Sequence, residues 1–254
     1  MENLGIALLL TAGAGLATTI GSLIGLAVRK PGPKFMGFTL GFSAGVMILV
    51  SFVELLQSSI ESIGFLSAHL AFFFGMICFF LIDTLIPHDY IGQHDHSKSD
   101  SGTGLMRTGM LIALGIGVHN FPEGLATFAG ALEDVHLGIA IAVAIAIHNI
   151  PEGLAVSAPI YAATGSRKKA FLWSFLSGVS EPIGAGVAAI VLLPFLTSSV
   201  IGWLLAAVAG IMITISLDEI VPVAKSFGDE HTHTPILGII TGMIVMAFSL
   251  WMLK

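Results

Sequence analysis

Long apolar stretches, separated by short polar and basic clusters, recur eight times along the chain, at roughly 4–28, 37–57, 66–86, 108–131, 136–160, 168–193, 200–222 and 234–252. Each is close to the about 20 residues that a helix needs to cross the hydrocarbon core of a bilayer. The pattern predicts an all-α integral membrane protein with eight transmembrane helices. Residues 1–254 form a single polytopic transmembrane domain in this reading, because no separate soluble domain fits between the spans. The widest polar interval, at about 87–107, is expected to be a histidine-containing cytoplasmic loop.

Composition agrees with the pattern: 55% of the residues are hydrophobic, 10% are charged, and the mean hydropathy is +0.95. These values exclude an ordinary soluble domain. Basic residues in short loops stay on the cytoplasmic side. Arg29, Lys30 and Lys34 follow span one, Lys98 and Arg107 span three, Arg167, Lys168 and Lys169 span five, and Lys225 span seven, which leaves only Lys254 for the opposite side. Both termini are therefore expected outside, in a multi-pass protein of the inner (cell) membrane. No basic residue precedes Arg29, so the first span is expected to be retained and not cleaved as a signal peptide. The single Cys78 rules out an intramolecular disulfide or a cysteine-based zinc site, and it reads as a small buried apolar side chain.

The chemistry lies in a repeat. His119-Asn120-Phe121-Pro122-Glu123-Gly124 in span four returns as His148-Asn149-Ile150-Pro151-Glu152-Gly153 in span five. On a helix, residues four apart share a face, so His119 joins Glu123 and His148 joins Glu152, with Asn120 and Asn149 three residues before the glutamates. An ionisable group at mid-bilayer costs about 2.5 to 3.5 kcal/mol on insertion scales, so a glutamate in each of two consecutive spans needs a compensating partner. Metal ions or protons are the candidates. Proline cannot donate to the carbonyl four residues back. Pro122, Pro151 and Pro182 thus release the carbonyls of Val118, Ile147 and Gly178, and Glu181-Pro182 puts a third acid beside a predicted helix break.

Consecutive spans run in opposite directions, so one motif in spans four and five implies a pseudo-two-fold axis in the membrane plane, the inverted repeat common in transporters. A weaker echo links Ser51-Phe-Val-Glu54-Leu55 with Ser216-Leu-Asp-Glu219-Ile220. Together they predict a 3+2+3 arrangement in which spans one to three correspond to spans six to eight. The candidate metal ligands are His119, Asn120, Glu123, His148, Asn149, Glu152 and Glu181. Nitrogen and oxygen donors without thiolate suit Zn²⁺ or Fe²⁺, with Mn²⁺ and Co²⁺ possible. Two adjacent positions, bridged by Glu123 and Glu152, are expected. The chain lacks the His-Glu-x-x-His of zinc proteases, and its two Glu-x-x-His sequences, at 133–136 and 230–233, fall at the connections between predicted spans and not inside a helix bundle as in di-iron proteins, which argues against an enzyme. It also lacks a phosphate-binding loop, so no nucleotide is expected to drive it.

The doubled motif, the Glu-Pro of the next span, the eight spans with outward termini and the histidine-bearing loop resemble the ZIP (Zrt/Irt-like) metal-transporter family, specifically its bacterial zinc-uptake branch. The resemblance covers the whole chain. It implies uptake of divalent metal toward the cytosol through a binuclear centre. His119, Glu123, His148 and Glu152 would match the first metal position, and Asn120, Asn149 and Glu181 would complete the second beside the shared glutamates. A His-Asn pair in both copies, where some members carry Gln or Asp at the positions of His148 and Asn149, fits the branch with broad selectivity that includes iron. No prosthetic group is expected, only transported Zn²⁺ or Fe²⁺. The expected partners are divalent ions and the lipid bilayer, with no nucleic acid and with a homodimer left open.

Outside the motif, Glu54 toward the outer side and Asp218 with Glu219 toward the inner side are candidates to receive and release the ion. Asp83 is a candidate interhelical partner or exit group. His88, His94, Asp95, His96, His231 and His233 are candidates for catching emerging metal, or are dispensable, and His69 and His136 read as solvated helix-end residues.

Overall fold

The structure, a computed structural model, describes residues 3–27, 32–84, 101–195, 197–227 and 233–253. The described residues are helical, with short turns and no strand. Helix is the form in which a lipid-exposed segment satisfies its own backbone hydrogen bonds. In chain order the helices are α1 Leu4–Ala27, α2 Pro33–Ile63, α3 Phe65–Thr84, α4 Ser101–Glu133, α5 Val135–Thr164, α6 Arg167–Val187, α7 Ser198–Ser226 and α8 Thr234–Leu253. Side chains in the turns set several boundaries. Asp134 caps α5 by accepting from Leu137 N at 2.9 Å, Gly165 ends it in the left-handed region with φ 61°, and Thr197 accepts from Val200 N at 3.3 Å to start α7.

Among the described residues seven helices are long and apolar enough to cross a membrane, namely all of these except α4. α4, which carries the first motif, is a helix of 33 residues and stands outside that count. Two boundaries differ from the apolar pattern. α2 runs on to Ile63, where a connection was expected from Gln57, and Gln57 Nε2 donates to Glu61 Oε1 at 3.0 Å across the added turn. α4 begins at Ser101, ahead of the apolar stretch and inside the interval expected to be a loop.

The exposure pattern inverts that of a soluble protein. Large apolar side chains face outward, with Ile190 82% and Trp251 72% exposed, while Asn120, Glu123, His148, Asn149 and Glu181 are fully buried. This is the arrangement expected when lipid is the solvent and polar groups are sequestered between helices. Cys78 on α3 is half-buried, less enclosed than the sequence suggested.

Small residues sew the helices together in pairs, as expected where backbones must approach closely in lipid. A Cβ placed on Gly124 would lie 2.1 Å from Glu181 O, and one on Gly184 would lie 2.3 Å from Phe121 O, so α4 and α6 cross backbone to backbone. α5 and α1 do the same, with Gly153 at 1.8 Å from Thr18 O and Gly21 at 1.9 Å from Ile150 O. The glycine that closes each motif is therefore a packing position. Equivalent seams join α2 to α8, at Gly41, Gly45, Gly238 and Gly242, and α3 to α7, at Gly75 and Gly210. Two helix groups result, one of α1, α4, α5 and α6 that carries the motifs, and one of α2, α3, α7 and α8.

The helices continue through Pro122, Pro151 and Pro182 instead of breaking there. The carbonyl released by Pro182, that of Gly178, lies against Gly15 of α1. The winding changes elsewhere. Ser51–Leu55 in α2 and Ser216–Ile220 in α7 are π-helical turns, the two segments paired by sequence. In each, the serine donates to the carbonyl four residues back, Ser51 to Met47 and Ser216 to Met212, both at 2.7 Å.

Candidate metal site

The candidate ligands come from three adjacent helices of the first group. α4 carries His119, Asn120 and Glu123, α5 carries His148, Asn149 and Glu152, and α6 carries Glu181. Helical spacing turns the described members inward, and all six from Asn120 to Glu181 are buried. His119 lies on α4 one turn before Glu123; its side chain lies outside the described residues. The contacts between them are pairwise. His148 Nε2 is 3.3 Å from Glu123 Oε1, joining the two motifs, and Asn149 Nδ2 donates to Glu181 Oε1, joining the second motif to α6. Among the described residues no three histidine or acidic side chains are gathered tightly enough to hold one ion.

Each asparagine uses its amide nitrogen to grip a neighbouring backbone. Asn120 donates to Ser177 O at 3.1 Å and Asn149 to Ala14 O at 3.0 Å. That leaves both amide oxygens without a hydrogen-bond partner among the described residues, together with Oε2 of Glu123 and Oε2 of Glu181. Buried acceptors are almost always satisfied, so a cluster of such atoms calls for an absent ion or water. The charge balance makes the same demand. Glu123, Glu152 and Glu181 are buried together, whereas the described basic side chains Lys34, Arg167, Lys168, Lys169 and Lys225 are all exposed. A buried carboxylate without a cation is strongly disfavoured. Among the described residues no lysine or arginine is buried beside them, and the donor set of carboxylates, amide oxygens and imidazole suits a divalent ion.

Sequence reasoning missed several contributors. Ser43 of α2, in the second helix group, donates to Glu152 Oε1 and to His148 O, each at 3.3 Å. A lone serine in an apolar span carries no pattern that would have flagged it. Toward one end of the bundle, Glu54, Glu61, Glu133, Asp134 and His136 line a cavity of about 580 Å³. Glu54 and His136 were named from sequence, but their gathering depends on helix pairing between distant segments. Of the other residues named from sequence, Asp218 is exposed and Glu219 half-buried on the α7 π-turn, and His69 Nδ1 is 2.7 Å from Phe65 O. His233 is exposed, the side chain of Asp83 is outside the described residues, and so are His88, His94, Asp95, His96 and His231.

The sequence profile of the ZIP Zinc transporter family matches residues 87–250. The chain belongs to this family. Similarity to individual ZIP relatives extends over nearly the full length. The chain is 51% identical to the zinc transporter ZupT of Nitratidesulfovibrio vulgaris, over 95% of this chain and 94% of that one. It is 53% identical to the zinc transporter ZupT of Chlorobium phaeovibrioides, over 100% of both. It is 48% identical to the zinc transporter ZupT of Clostridium perfringens, over 98% of this chain and 96% of that one. ZIP proteins are transporters and not enzymes, which disposes of the metalloenzyme alternative. With its membrane-length helices, this ZIP protein is a multi-pass membrane protein.

Proposed function

We propose that this ZIP protein imports Zn²⁺, and with it Fe²⁺, Mn²⁺ and Co²⁺, into the cytoplasm through a binuclear site on α4, α5 and α6. The observation that carries the reading is the cluster of buried, unsatisfied oxygen acceptors from both motif copies, with no lysine or arginine buried among the described residues. His119, Glu123, His148 and Glu152 are the proposed ligands of one position. Asn120, Asn149 and Glu181 form the other, and the two motif glutamates bridge them. α4 is the proposed eighth span, with both termini outside. The reciprocal glycine seams and the paired π-turns support the inverted repeat, since the seams relate α1, α2 and α3 to α6, α7 and α8 and the π-turns relate α2 to α7.

The electrical gradient suffices to drive import. Two positive charges moving inward gain about 4.6 kcal/mol per 100 mV of inside-negative potential, from about 2.3 for each charge. The cavity lined by Glu54 is the proposed outer mouth of the path. If Glu54→Gln leaves zinc uptake unchanged at every zinc concentration, that role for Glu54 falls. The binuclear arrangement is tested by equilibrium zinc binding to the detergent-solubilised protein. Two tightly bound ions per chain are expected, falling to one in Glu181→Ala; a single ion in the parent protein would contradict the bridged pair.

A further inference from the structure

α1 and α6 meet reciprocally at the site. A Cβ on Gly15 would lie 2.6 Å from Gly178 O, and one on Gly178 would lie 2.6 Å from Gly15 O. One turn farther on α6 is Glu181, whose Cβ is 3.4 Å from the position a Cβ on Gly15 would take. One turn farther on α1 is Thr18, whose Cβ is 3.1 Å from the corresponding point on Gly178. The residue before each glycine accepts from a motif asparagine, Ala14 from Asn149 and Ser177 from Asn120. Beyond, Gly21 and Gly184 receive the carbonyls of Ile150 and Phe121, which hold the same place in the two motifs. The pairs Ala14/Ser177, Gly15/Gly178, Thr18/Glu181 and Gly21/Gly184 all keep one spacing along the chain. Thr18 thus occupies on α1 the position that Glu181 occupies on α6.

The Thr18 hydroxyl is also left without its usual local acceptor. Buried helical serines and threonines commonly donate to the carbonyl four residues back. Here Thr11, Ser51, Ser59, Thr214 and Ser216 do so. For Thr18 that carbonyl belongs to Ala14, and the Asn149 amide already uses it. Among the described residues Thr18 Oγ1 has no hydrogen-bond partner, and the side chain is fully buried. Ser22, one turn on, is unpartnered too, but its counterpart at the same spacing is Ala185, so nothing relates it to a ligand position.

We infer that Thr18 is a further cargo-binding residue, whose hydroxyl supplies a neutral oxygen to the coordination shell of the ion held by Asn120, Asn149 and Glu181, opposite Glu181. The inference rests on the reading of those residues as metal ligands. An added oxygen matters most to an ion that takes six oxygen-rich ligands, as Mn²⁺ does, and least to Zn²⁺, which is satisfied by four. Thr18 is on this account a selectivity residue.

Thr18→Val keeps the shape and removes the hydroxyl, whereas Thr18→Ser keeps the hydroxyl. In zinc-uptake assays with reconstituted protein, Thr18→Val should raise the inhibition constant of Mn²⁺ about tenfold relative to the KM for zinc, the scale expected when a group supporting a metal site is lost. Thr18→Ser should match the parent. An unchanged ratio in Thr18→Val, or a parent protein that Mn²⁺ does not inhibit, would overturn the inference. Should Thr18→Val not accumulate in folded form, Thr18→Ala is measured in the same way. Glu123→Ala run alongside separates the two readings. If it still passes zinc, the ligand assignment falls; if it is silent while Thr18→Val keeps the parent ratio, only the role of Thr18 falls.

Discussion

Reconstituted protein carrying Glu152→Ala should pass zinc no faster than protein-free vesicles, while its thermal stability without metal is unchanged or higher. Glu152 is buried, and its Oε1 accepts from Ser43. Removing one charged partner from a buried ionic site costs about 3–5 kcal/mol, which at about 1.4 kcal/mol per tenfold is a loss of two to three and a half powers of ten in occupancy. In the empty protein the same substitution removes one of three carboxylates buried in the same cluster, so folding should not suffer. The two readouts therefore separate. Loss of flux together with loss of folded protein would mean that Glu152 serves packing and not the ion.

The opposite split is expected for Gly153→Ala, which should destabilise the protein by more than the about 1–3 kcal/mol usual for overpacking. A Cβ there would lie 1.8 Å from Thr18 O and 2.8 Å from Thr18 C, backbone atoms that cannot rotate away. α1 must therefore shift relative to α5. Gly21→Ala strains the same crossing from the other side, at 1.9 Å from Ile150 O. The double substitution should cost less than the sum of the singles, because helices already forced apart accommodate the second methyl group. Gly13→Ala and Gly186→Ala meet nothing within 4 Å and should leave stability unchanged or raise it by up to about 1 kcal/mol through helix propensity. Thermal unfolding in detergent, followed by the fraction of monodisperse protein, distinguishes these cases. A Gly153→Ala protein as stable as Gly13→Ala would refute the close crossing.

The sequence revealed the motif residues because their chemistry repeats at helical spacing. His, Asn and Glu at fixed intervals can share a face in few ways, and the described members all turn inward. The prolines misled in part, since their ring chemistry predicts broken helices, whereas α4, α5 and α6 run on through them. The motif glycines were legible as small residues but not as seams, because a seam is defined by the carbonyl opposite, Glu181 O for Gly124 and Thr18 O for Gly153. Ser43 and Thr18 were invisible for a related reason. A single hydroxyl in an apolar span looks like any other until the structure shows that Ser43 reaches Glu152 and that Asn149 takes the carbonyl Thr18 would use. The Ser51 and Ser216 echo was faint in sequence but emerged as two matching π-turns.

The central claim is that the buried site conducts metal across the membrane. It is tested most directly by zinc influx into proteoliposomes loaded with an interior zinc-sensitive dye, under an inside-negative potential. Saturable influx that depends on the intact protein and increases with the potential is the predicted result. A folded protein that binds zinc with no influx would contradict the account and leave a metal-binding membrane protein that does not transport.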